Sequence, residues 1–159
     1  MKKLLFISIC GFLLIGCNEE NIQTPEENWD ESATFVREAI VTEDGREGEI
    51  VFRIGDNGKL GFYEYGPFIA SEKQKYMWHF WGDDDTLTKP FRVIGISEET
   101  GKELTVIPTG SSMPNTSPHH GADHHIPSSI KLPNSGLWKL EAYFGDELFG
   151  SVVVNVEDK

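Results

Sequence analysis

Four of the chain's five histidines and one aspartate fall within seven residues, His119-His120-Gly121-Ala122-Asp123-His124-His125. Neutral imidazole is a good ligand for Zn, Cu or Ni, and a carboxylate can complete such a site. Adjacent histidines in an ordered strand rarely hold one ion together, so the expected set takes one residue from each pair: His120, Asp123 and His124, with His119, His125 and the distant His79 as alternates. The competing reading is a histidine-rich loop that is merely exposed, or that docks by hydrogen bonds and holds no ion. Nothing pairs the cluster with a helical His-Glu-x-x-His or a spaced thiolate set. The pattern therefore requires no cofactor, and a transition metal is the one it could take.

Signals for catalysis are weaker. There is no cysteine nucleophile, no Gly-x-Ser-x-Gly elbow and no Gly-rich phosphate loop before a helix. Ser128-Ser129 lies near the histidines and Asp83-Asp84-Asp85 follows an aromatic run, so a serine triad or a metal hydrolase could be drawn from them. Serine next to proline and acidic triplets at strand ends are, however, ordinary turn chemistry. The expectation is a protein that is not an enzyme.

The elements that must position these residues read as short strands broken by turns, with no helical period of any length. Thr34 to Val41 is a weak first strand. Glu49 to Ile54 alternates, with Ile50, Phe52 and Ile54 expected on the buried face. Asp56-Asn57-Gly58 turns the chain into Leu60 to Tyr65. Tyr76-Met77-Trp78-His79-Phe80-Trp81 is bulky on both faces and belongs at the centre of a sandwich. Pro90 to Ser97 and Glu103 to Ile107 form a hairpin. Pro108 to Pro133 then reads as one long irregular segment containing the histidines. The last hairpin joins Gly136 to Phe144 and Glu147 to Val156 around Gly145-Asp146, with Trp138, Leu140 and Ala142 facing the core.

The first residues give an address. Lys2 and Lys3 precede an apolar run, Leu4 to Ile15, that is too short to span a bilayer as a mature helix, and the run ends in Leu14-Ile15-Gly16-Cys17. That ending resembles the bacterial lipobox, in which the cysteine thiol receives a diacylglyceryl group and becomes the first mature residue. The expected organisation is a signal peptide over 1–16, a lipidated Cys17 with an acidic tether over 17–28, and one domain over 29–159. Removal of the leader takes two lysines and no acids, leaving 12 basic against 26 acidic residues, or −14. Such a charge excludes nucleic acid as a partner and suits cationic ligands. Cys10 leaves with the leader, so the domain has no disulfide. Asn18 to Asn28, with four glutamates, Pro25 and Ile22 as its only aliphatic residue, cannot pack; extended, its eleven residues reach at most about 36 to 40 Å.

Ser135-Gly136-Leu137-Trp138 through Val156 is similar to the last two strands of bacterial immunoglobulin-like surface domains. Together with Lys75 to Gly82 and the His-Pro-rich loop, the chain resembles lipoproteins of Bacillus-type bacteria that carry a domain of unknown function. The resemblance implies an all-β, immunoglobulin-like antiparallel β-sandwich on the outer face of the cell membrane, and it brings no activity with it. Two functions follow as expectations. One is a non-catalytic module, held at the membrane through Cys17, that binds a protein, peptide or wall polymer. The other is a metal-binding surface protein using the histidine loop.

Overall fold

The computed structural model describes residues 28–41, 45, 47–110 and 119–159. The leader, Cys17, the tether up to residue 27 and all but Gly45 of the Glu43-Asp44-Gly45 turn lie outside the described residues. Within them the chain forms two five-stranded sheets packed face to face, as the all-β sandwich reading expects. The first sheet has the order β1 (Thr34–Val41), β2 (Glu47–Ile54), β3 (Leu60–Glu64), β5 (Gln74–Phe80), β8 (His124–Ile130). The second has the order β4 (Phe68–Ile69), β10 (Glu147–Glu157), β9 (Gly136–Phe144), β6 (Phe91–Ser97), β7 (Glu103–Ile107). All neighbours run antiparallel except β4, which pairs parallel to β10.

Turn chemistry sets the hairpins. Gly58 at φ 67° closes the β2–β3 connection, and the Asn57 side chain accepts a hydrogen bond from the Lys59 amide at 2.8 Å. Gly145 at φ 62° and Asp146 join β9 to β10, with Phe144 opposite Glu147. Between the sheets, Tyr76, Trp78 and Phe80 of β5 point inward and pack on Phe62, Phe68, Phe91 and Phe144 at ring separations of 4.5 to 6.0 Å. Trp138, Leu140 and Ala142 are buried as expected, and the Trp138 indole donates to the Asn134 carbonyl at 3.1 Å.

Three sequence expectations need correction. The segment read as irregular from Pro108 to Pro133 contains β8, a full strand paired along β5 from Gln74↔Ile130 to Phe80↔His124. Pro127 hid it, yet a proline is tolerated there because β8 is an edge strand. In β2 the face assignment is reversed: Arg53 lies opposite Phe62 on the core side, and Phe52 lies opposite Tyr63 on the outer side. Both are buried. Arg53 is tolerated inside because its guanidinium is fully engaged by Glu64, by Glu31 at 2.7 Å and by the Ser32 carbonyl at 2.7 Å. Lastly, Asp83-Asp84-Asp85 is not a free turn. Asp83 caps α1 (Asp84–Leu87), accepting the Thr86 amide at 2.9 Å, and Leu87 is fully buried.

Trp138→Ala should cost about 3 to 5 kcal/mol, since it empties a large volume inside a packed core. Against a typical domain stability of about 5 to 15 kcal/mol, the loss is large. Denaturant melts of parent and variant measure it; a variant melting with the parent would place Trp138 outside the core.

Candidate functional site

The histidines gather, but not in the expected set. Four of them, His79, His119, His120 and His125, meet on the outer face of the first sheet, with the other three rings centred 4.2 to 5.1 Å from His119. His79 of β5 lies directly opposite His125 of β8, so strand pairing alone brings these two to one face. His124, the neighbour of His125, points to the opposite face because side chains alternate along a strand. It is 1% exposed, and its Nε2 donates to the Asp84 carboxylate at 2.9 Å. Its Nδ1 is buried with no partner among the described residues.

A tight turn delivers the other two imidazoles. His119 and Ala122 exchange backbone hydrogen bonds at 3.2 and 3.0 Å around His120 and Gly121, whose φ angles are 49° and 85°. Positive φ at both central positions is the geometry of a type I′ turn. The turn is pinned to the end of β5 on three sides. The Trp81 indole donates to the Gly121 carbonyl at 2.7 Å, the Gly82 amide to the Asp123 carboxylate at 2.9 Å, and the Asp123 amide to the Phe80 carbonyl at 3.0 Å.

The expected set of His120, Asp123 and His124 is therefore separated: His120 sits over Tyr63 at 5.6 Å, Asp123 is held by Gly82, and His124 faces Asp84. The alternates His79 and His125 come together at His119, with His120 beside it. Even so, among the described residues no group of three or more His, Cys, Asp or Glu side chains is placed so that it could hold a metal ion.

The hydrogen bonds fix the tautomers of the pair at the centre. The Met77 carbonyl can only accept, so His79 Nδ1, 3.0 Å away, carries the proton. Its Nε2 is then bare and accepts from His119 Nδ1 at 2.9 Å. Phe52, Tyr63 and Trp81 wall the pair in, and they enclose with Phe35 and His120 a cavity of about 50 Å³. The residue that sequence reading missed here is Gly61, opposite His79 on β3. A Cβ at Gly61 would strike the Arg53 carbonyl and come within 2.7 Å of the Phe52 ring, so glycine is what lets that ring lie across the strand. A glycine amid Leu60 and Phe62 was the available signal.

Burial lowers the His79 pKa to about 4, with the Met77 hydrogen bond opposing and the neighbouring imidazoles adding to the effect. Burial and the facing His120 and His125 also hold His119 below the usual range. A depressed base is neutral in the folded state while the unfolded chain takes up a proton. Stability is then complete above about pH 6.5 and is lost as the pH falls toward 4. For His79 alone the loss is up to about 3 kcal/mol. Denaturant melts at pH 7.5, 6 and 5 should show this decline, and His79→Phe, a close fit in the aromatic wall, should flatten it. An equal decline in the variant would assign the pH sensitivity elsewhere.

A crystal structure of a chain from Bacillus anthracis, described as a putative lipoprotein, shares this fold with a TM-score of 0.57 at 21% identity, over 83% of this chain and 88% of that one. No curated protein matches the chain. A family model for a domain of unknown function, DUF4871, matches residues 20–154, which covers the sandwich up to the last three residues of β10 and part of the acidic stretch before it. The chain belongs to the DUF4871 family.

Proposed function

We propose that the protein is a lipid-tethered, non-catalytic surface module: an immunoglobulin-like sandwich held at the outer face of the cell membrane that binds a protein, peptide or wall polymer. The observation that carries this reading is Leu14-Ile15-Gly16-Cys17, a lipobox-like ending set twelve residues before Trp29. Trp29 touches the sandwich, with the Lys139 ammonium 4.4 Å from the centre of its ring. Only the short acidic stretch separates the two. The Bacillus anthracis chain of like fold carries the lipoprotein description, which supports the same placement.

The side chains from which a hydrolase could be drawn have structural partners. Ser128 Oγ accepts the Trp78 indole at 3.0 Å, Asp83 caps α1, and His124 bonds Asp84. These contacts support a binding role over a catalytic one. The metal-dependent alternative loses ground because its expected ligands are separated.

Cys17→Ser removes the thiol that would carry the lipid. Metabolic labelling with a fatty-acid analogue should mark the parent and leave the variant unmarked and released from membranes. Two acyl chains give stable attachment at about 0.8 kcal/mol per buried CH₂. Label retained on the serine variant would refute the anchor.

A further inference from the structure

Along the side of the sandwich where edge strands β7 and β8 meet, a cavity of about 870 Å³ opens to solvent. Its wall includes Lys73, Lys75 and Lys131, all exposed, together with Tyr76, Ser128 and Ser129. No Asp or Glu lines it among the described residues. In a chain with 26 acids against 14 bases, that gathering of one charge sign runs against composition. None of the three cavity lysines pairs with a carboxylate among the described residues, whereas Arg53, Lys89, Arg92 and Lys159 do; Lys59 and Lys102 are likewise without a carboxylate there but stand apart from one another on separate turns.

A hydroxyl donor stands beside the lysines. Ser128 accepts from Trp78 and so retains its own proton to give.

We propose that this cavity binds a small phosphorylated solute, with Lys73, Lys75 and Lys131 neutralising the phosphate and the Ser128 hydroxyl donating to it. Point-charge ammonium groups and hydroxyl donors suit a phosphate dianion. The volume fits a ligand of sugar-phosphate size. A long polyanion is disfavoured, because beyond about 8 Å the lysines are screened and the chain's overall negative charge dominates. The proposal goes beyond the tethered-module reading and does not depend on how the chain is attached.

The test is a calorimetric titration of the full chain in neutral detergent with glucose 6-phosphate, glucose and gluconate. Glucose 6-phosphate should saturate one site, gluconate should bind more weakly, and glucose should not bind. K75E/K131E should lower the affinity by at least about tenfold while melting like the parent. K59E, on the β2–β3 turn, should leave the affinity unchanged. The proposal falls if glucose 6-phosphate fails to saturate, if gluconate matches it, or if K75E/K131E keeps the parental affinity.

Discussion

The end of strand β5, Trp78-His79-Phe80, is buried on both faces, and the rest of the structure answers that constraint. Its inner face, Tyr76, Trp78 and Phe80, is solved by apolar packing against the second sheet. Its outer face carries His79 at 1% exposure, and no second sheet covers that side. A buried imidazole needs partners for both nitrogens, since an unmet buried polar group costs about 1 to 3 kcal/mol. The Met77 carbonyl supplies one and His119 the other. Placing His119 there requires the His120-Gly121 turn, and fixing that turn occupies Trp81, Gly82 and Asp123. Phe52 completes the cover only because Gly61 has no side chain. One polar residue in a central strand thus accounts for the placement of His119 and of the turn that carries it.

The same constraint explains what could and could not be read from the sequence. Hairpins with turn residues between alternating runs were legible, as at Asn57-Gly58 and Gly145-Asp146, because the backbone requirement is local. The core role of Trp138 was legible for the same reason. Strand β8 was not, since His124-His125-Ile126 is buried on both faces and so lacks alternation, while Pro127 reads as a break. The candidate ligand set failed on one physical point. His124 and His125 belong to a strand, which sends them to opposite faces, and the reading had placed them in a loop. In β2 the pattern pointed the wrong way because a buried Arg53 satisfied by Glu31 and Glu64 looks, in sequence, like a surface residue.

Arg53 also decides how the chain enters the fold. Its guanidinium holds Glu31 and the Ser32 carbonyl, fixing these residues against β2. Those residues bridge the two sheets: the Ser32 amide donates to Val153 of β10 at 2.9 Å, and Ala33 accepts from Ile54 of β2 at 3.0 Å. The Ser32 hydroxyl accepts the Val153 amide at 2.8 Å as well. A load applied through the preceding segment is therefore shared between both sheets and opposed by several hydrogen bonds and an ion-pair network at once.

That entry point lies on one side of the sandwich and the lysine cavity on the other. In the first sheet β2 adjoins the β1 edge while β8 forms the opposite edge; in the second, β10 adjoins β4 while β7 closes the far side. The chain enters between β2 and β10, and the cavity opens between β7 and β8. β2 and β8 are three strand positions apart in the first sheet, as are β10 and β7 in the second, with the aromatic core in between. A solute seated among Lys73, Lys75 and Lys131 would therefore not compete with the contacts of Glu31, Ser32 and Ala33.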